Sequence, residues 1–230
     1  MSSIKHNLER INLQIVDTAV SCGRRPDAVK LIAVSKKKNV KTVLEAINKG
    51  ALHLGENYIQ EAIEKINIIG KDKACWHFIG HLQSNKAKFA VKYFEYIHTV
   101  GTLKLAKEID KQAKKIKKIQ KILVQVNIGD EETKSGAGIN DAIQLVKEVS
   151  RFENLSLQGL MCMPPFFPDP EHARIYFKQL AQLKEKIIAK KFDNVSMEHL
   201  SMGMSNDFKV AIEEGSTMVR VGTSIFGRRD

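Results

Sequence analysis

Three short segments of this chain carry residue types that could do chemistry together. In Leu31-Ile32-Ala33-Val34-Ser35-Lys36, period-two alternation puts Ile32, Val34 and Lys36 on one face, so a lysine closes an otherwise apolar row. A lysine against an apolar wall is the residue that presents an amine to an aldehyde and forms a Schiff base with it. Taken alone, Lys36-Lys37-Lys38 also reads as a solvated turn, the commoner meaning of such a run. The second segment, Ser201-Met202-Gly203-Met204-Ser205-Asn206-Asp207, leaves a strand through small residues and opens a helix, with Ser205 expected as its N-cap. Free amides and a hydroxyl at that place suit an anion. The third, Gly222-Thr223-Ser224, opens the short stretch Ile225–Gly227 with another row of unpaired amides. Each turn alone is an ordinary helix cap.

Those segments need a scaffold that brings their ends together, and short β-branched runs alternating with amphipathic stretches supply one. A leading helix over about 4–21 precedes strand-like Val29–Ser35 and a helix over 40–48. His53–Gly55 is followed by helix 57–67, Trp76–Gly80 by helix 84–91, Tyr96–Val100 by helix 102–117, and Ile122–Asn127 by helix 139–150. Leu155–Met161 leads to helix 170–189, Val195–Leu200 to helix 206–213, and Met218–Gly222 to a short tail. This rhythm predicts parallel pairing through right-handed crossovers, in a doubly wound open sheet or a closed barrel. Roughly eight units in 230 residues favour the barrel, which typically needs about 250. The expected fold is α/β, a single (β/α)8 TIM-like barrel with an extra N-terminal helix. Residues 1–230 are expected to form one domain, because no Pro/Gly/Ser-rich linker divides them. The Pro-rich run MPPFFPDP at 163–170 fits a loop after the Leu155–Met161 strand. Barrels place function at the C-terminal tips of their strands, and closure makes the first strand neighbour the last. Lys36 is then expected beside Ser205 and the Gly222-Thr223 turn.

Composition narrows the class further. With 43% hydrophobic and 27% charged residues the chain is globular in type, which excludes wholesale disorder and collagen-like repeats. Three widely spaced cysteines, Cys22, Cys75 and Cys162, without a CxxC pair, predict core thiols in a reducing compartment. The N-terminus is polar and heptad-like, and no stretch approaches the roughly 18 apolar residues of a membrane span, so a cytoplasmic protein without a membrane partner is expected. The net charge of +11 first suggests nucleic acid. Much of that excess, however, lies around 104–121, where Leu103, Ala106, Ile109, Ala113 and Ile116 mark the dry stripe of one helix with a wet lysine face. Aromatic interleaving and finger-like motifs are missing, so no nucleic-acid partner is expected. His77 and His81, four residues apart on one expected strand face, have no third ligand at a recognisable distance, so no metal is expected. Cys162 has no sequence signature of a base, and there is no Walker loop or GxGxxG.

An aldehyde-reactive lysine beside a phosphate cradle describes pyridoxal 5′-phosphate (PLP). The segments AVSK at 33–36, GENYIQE at 55–61, WHFIGHLQSNK at 76–86, GLM at 159–161, LSMGMS at 200–205 and VRVGTSIFG at 219–227 resemble the pyridoxal-phosphate homeostasis proteins, in that family's order and spacing. The resemblance implies a barrel like the N-terminal domain of alanine racemase, PLP held as an aldimine, no established turnover, and a part in vitamin B6 supply and amino-acid balance. Carried over by position, the aldimine lysine falls on Lys36. The phosphate ligands fall on Ser205 and the backbone of Gly222 and Thr223, and the arginine facing the pyridine nitrogen falls on Arg220. That permanent donor keeps the nitrogen unprotonated and makes the ring a weaker electron sink than a carboxylate partner would. Asn57 and Met204 match positions that line the ring, whereas the pattern is loose around His199 and the 163–170 loop.

The resemblance implies a non-catalytic PLP carrier, with PLP-dependent apoenzymes as candidate recipients and a monomeric state. The rival is a PLP-dependent amino-acid racemase. That reaction needs a second base on the opposite face of the ring, which racemases of this barrel type take from a tyrosine of a further domain and a partner subunit. This chain ends shortly after Gly227, so racemase activity is not expected.

Overall fold

The computed structural model describes residues 3–129 and 135–227. Its strands β1 (Lys30–Val34), β2 (His53–Glu56), β3 (Cys75–Phe78), β4 (Tyr96–Val100), β5 (Gln120–Asn127), β7 (Leu155–Met161), β8 (Val195–Ser201) and β9 (Met218–Val221) pair side by side in parallel. Pairing of β4 with β5 closes the sheet into a barrel of eight parallel strands. The two-residue β6 (Ala137–Gly138), which the sequence rhythm does not announce, lies outside the ring against the end of β5.

The helices sit around the barrel because their apolar stripes match its outer face. Helix α5 (Leu103–Lys115) buries Leu105, Ala106, Ile109 and Ala113 and starts where Thr102 Oγ1 accepts the Leu105 amide at 3.2 Å. Its lysines line the opposite face, as the spacing predicts. Helices α2 (Val40–Asn48), α3 (Ile59–Ile69), α4 (Ala87–Tyr93), α6 (Ile139–Val149) and α7 (Arg174–Ile188) complete that layer, with α8 (Phe208–Glu213) and the one-turn α9 (Thr223–Phe226). Helix α3 begins at Ile59 rather than at residue 57, which leaves Asn57 in the loop at the barrel mouth.

The extra helix α1 (Ile4–Ser21) has a positional role. It buries Leu8, Ile11, Ile15 and Ala19, while Asn7 Nδ2 donates to the Ile225 carbonyl at 2.9 Å and Arg10 to the Ser224 carbonyl at 3.2 Å. The N-terminus thereby anchors the turn that follows β9. Cys22, just past the end of α1, is exposed and Cys75, at the start of β3, is half-buried; of the three thiols expected in the core, Cys162 is the one that is there.

The barrel interior is mixed in polarity. Ile32, Tyr96, Leu123, Met161 and Met218 form its apolar part, and His77, His98, Ser201 and Arg220 are buried among the strands with them. Among the described residues no helix is long and apolar enough to cross a membrane.

Candidate functional site

The seven residues singled out from the sequence meet in one place. Lys36, Asn57, Met204, Ser205, Arg220, Gly222 and Thr223 line a single cavity of about 320 Å³ at the C-terminal ends of the strands, with Val34, Ile79, Met163 and Phe166 as apolar wall. The last two belong to the 163–170 loop, which is further tied to the site by Asn206 Nδ2 donating to the Phe167 carbonyl at 3.0 Å.

Lys36 stands on a stretch of backbone held from both sides. Ser35 Oγ donates to Glu56 Oε1 at 2.6 Å, and Lys65 Nζ donates to that same oxygen at 2.8 Å and to the Ser35 carbonyl at 2.7 Å. The ammonium also reaches Glu61 Oε1 at 2.6 Å, and that oxygen accepts the Lys37 amide. Lys37 has φ of 60°, in the left-handed region a side chain rarely adopts, so the turn needs such external support. Glu56 and Lys65 are almost wholly buried, 0% and 4% exposed at the side chain. Burial pushes the Glu56 carboxyl up, against the opposing pull of Lys65 and Ser35. A buried pair like this contributes little net stability over an apolar one, but it fixes geometry and is costly to break.

Two glycines let the backbone approach where the cavity needs it. A Cβ on Gly80 would lie 2.1 Å from the Asn57 carbonyl oxygen, so only glycine lets the β3 loop press against Asn57. Gly203 has φ of 90°, and a Cβ there would fall 2.6 Å from that of Ala211.

Ser205 is in the site, but not as a helix cap. Residues 205–207 form a turn, α8 starts at Phe208, and Asp207 occupies the N-cap position while its Oδ1 accepts the Met204 amide at 2.6 Å. The Asp207 carboxylate folds back onto the Met204 amide and holds residues 205–207 as a turn, so the helix starts two residues later than the expected 206. Ser205 Oγ instead accepts the Gly222 amide at 3.4 Å and the Thr223 hydroxyl at 3.2 Å. Hydroxyls and an amide with such long mutual contacts are donors available to an anion.

Arg220 is 4% exposed, and its guanidinium donates to Ser201 Oγ at 2.6 Å and to the Cys162 carbonyl at 2.8 Å. Burial lowers its pKa, yet a guanidinium remains cationic and keeps further N–H donors for the cavity. Behind it runs a chain of buried groups: Ser201 Oγ to His98 Nδ1 at 2.9 Å, His98 Nε2 to His77 Nδ1 at 2.9 Å, and His77 Nε2 to His53 Nδ1 at 3.0 Å. Burial, and next the neighbouring charges, keep His77 and His98 well below the ordinary histidine range, so both are neutral. The arginine occupies one lone pair of Ser201, and a serine that donates onward to His98 places every imidazole proton on Nε2, pointing away from the site. His199 lies beside this interior on β8, its pKa lowered to about 4 by burial, and its edge contacts Tyr96 with ring centroids 6.0 Å apart. His81, read as sharing a strand face with His77, lies beyond the end of β3; it is exposed, with Nδ1 3.1 Å from Ser135 Oγ at the same mouth.

The cavity's donor set fits PLP. It combines an amine, hydroxyls and an amide for a phosphate, a fixed cation, and an apolar wall for a ring. The fit is sharpened by Asn57, whose Oδ1 is buried with no hydrogen-bond partner among the described residues. Sequence reasoning missed the Glu56, Glu61 and Lys65 support, although Glu61 and Lys65 at i, i+4 spacing were a visible sign of it.

A family model described as the N-terminal domain of alanine racemase matches residues 2–230. A relative in Vibrio alginolyticus named "Pyridoxal phosphate homeostasis protein" is 42% identical over 234 aligned residues, covering 100% of this chain and 99% of its own. Among solved structures, PipY of Synechococcus elongatus PCC7942 with PLP bound aligns at a TM-score of 0.80 and 32% identity, over 93% of this chain and 100% of its own. An alanine racemase of Clostridium difficile shares the fold at a TM-score of 0.69 and 20% identity, but the match spans only 56% of that longer chain.

Proposed function

The chain belongs to the pyridoxal phosphate homeostasis proteins, within the alanine racemase N-terminal-domain family, and from that membership we propose that it binds PLP covalently at Lys36 and carries it without turning over an amino acid. The observation that supports this reading most is the convergence of Lys36, Ser205, Arg220, Gly222 and Thr223 on one cavity. When bound, PLP supplies an aldehyde that condenses with a primary amine, releasing water and giving a chromophore in the visible range.

Each residue has a task in that binding. Lys36 Nζ provides the attacking amine, and the Lys65 clamp keeps its backbone from swinging into solvent. Ser205 and Thr223 hydroxyls with the Gly222 and Thr223 amides hold the phosphate. Arg220, pinned by Ser201 and the Cys162 carbonyl, donates to the pyridine nitrogen and leaves that nitrogen unprotonated. Asn57 and Met204 flank the ring. The relatives' naming as homeostasis proteins favours a carrier over a racemase. Supply of PLP to apoenzymes in the cytoplasm, by the protein as a monomer, is part of the same proposal.

The direct test is the absorption spectrum of the purified chain mixed with PLP, read with the mass of the borohydride-reduced protein. A visible band and a single covalent adduct are expected. A spectrum equal to that of free PLP would overturn the reading. For the phosphate cradle, Ser205→Ala removes one donor and is expected to weaken PLP binding by tenfold or less, on the order of 1 kcal/mol. Because Ser205 caps no helix, thermal unfolding of the PLP-free protein should stay within about 0.5 kcal/mol of wild type.

A further inference from the structure

We propose that His53, Cys75 and His77 form a binding site for a zinc-class divalent cation at the N-terminal end of the barrel, opposite the Lys36 cavity. The sheet register sets it up: His53 pairs with Cys75 and Gly55 with His77 across β2 and β3, so all three side chains share the inward face. One ligand atom from each residue lies within 4.8 Å of the others.

The nitrogens already stand near their bound positions. His53 Nδ1 and His77 Nε2 are 3.0 Å apart. Two imidazole nitrogens on one tetrahedral zinc, each about 2.05 Å from the metal, are separated by about 3.3 Å, so the pair opens by only about 0.3 Å. The thiolate belongs about 3.5 Å from each nitrogen, within reach of a rotation of the half-buried Cys75 side chain. The buried ligand also has its outer partner in place, since a metal on His77 Nε2 puts that ring's proton on Nδ1, which faces His98 Nε2 at 2.9 Å. The imidazole proton of His98 then moves to Nδ1, toward Ser201.

Protonation and charge are consistent with one metal and one released proton. Burial keeps His77 neutral, so a metal at Nε2 requires only that the ring's single proton shift from Nε2 to Nδ1, whereas the Cys75 thiol, pushed up to about 11 by burial, gives up its proton to solvent when the S–metal bond forms. Lys30 and Lys121 act on the cluster as cations and Glu95 opposes them, which tempers affinity. Two nitrogens and one sulfur on a half-buried edge leave the fourth position to water, and the mixed donor set favours zinc over calcium or magnesium.

Cobalt(II) titration of the untagged full-length protein tests the site, because a thiolate on tetrahedral cobalt produces a charge-transfer band. The expected result is saturation at one equivalent per chain and displacement by one equivalent of zinc. The band should be lost in Cys75→Ser and retained in Cys22→Ser, and His53→Gln should bind at least tenfold more weakly. Lys36→Ala should behave as wild type, so failure of the PLP reading would leave this result standing. Absence of a saturable band, or a band that survives Cys75→Ser and His53→Gln, would overturn the proposal.

Discussion

Lys36→Ala is expected to abolish both the visible band and the borohydride-trapped adduct. No other described residue of the cavity carries a primary amine, so removal of Nζ leaves PLP with hydrogen bonds alone. The change should cost the PLP-free fold about 1 kcal/mol or less, since a half-buried lysine beyond a strand tip contributes mainly its stem to packing. An unchanged thermal transition with a lost adduct would separate anchoring from folding. The same variant separates carrier from enzyme. If Lys36 only anchors, neither wild type nor variant should racemise or transaminate a panel of amino acids faster than free PLP does. Robust racemisation by wild type that vanishes in Lys36→Ala would restore the racemase reading.

Lys36 was legible because its signal is local. A strand of five residues has only two faces, and an apolar row ending in lysine reports its direction without knowledge of the partners. The same holds for the barrel, whose repeated switch from period two to period 3.6 marks the parallel strands within a few residues of their observed ends. Ser205 shows where local reading fails. Serine before a helix is a good cap, but the Asp207 carboxylate reaches back to the Met204 amide and keeps residues 205–207 in a turn, a contact set by the path of the loop in three dimensions.

The histidine chain was hidden for a different reason. His53, His77 and His98 come from three successive strands, separated by 24 and 21 residues. Within any one strand each is a single polar residue in an apolar run. Their meeting becomes visible only when the chain is folded back at the length of one β/α unit, which places equivalent strand positions side by side. Pairing His77 with His81 along the sequence searched the wrong direction, because neighbours across a sheet lie one unit away rather than four residues away. The same reasoning explains Arg220, whose partner Ser201 is one unit back on β8.

Lys65→Met is expected to destabilise the protein by about 3–5 kcal/mol at neutral pH, the range for breaking a buried ion pair from one side. The loss is large because Glu56 is fully buried and, among the described residues, keeps only Ser35 Oγ as a side-chain partner once the ammonium is gone. Its carboxyl, already raised by burial, then rises further, because Lys65 supplied the main opposing pull. The sign of the pH dependence follows. A carboxyl whose folded pKa lies above its unfolded value binds more protons in the native state between those two values, so stability is present at low pH and lost as pH rises through the folded pKa. The variant should therefore be more stable to urea at pH 5 than at pH 7.5, with a steeper difference than wild type shows. Lys65→Met with Glu56→Gln removes both charges and should recover at least half of the lost stability. It should not recover PLP binding to the same extent, because the Ser35 carbonyl and the Lys37 amide no longer share a common brace through Lys65 and Glu61. A double variant that regains stability and full PLP affinity together would show that the clamp serves folding alone, and a single variant equally stable at both pH values would show that Glu56 is not left as an uncompensated charge.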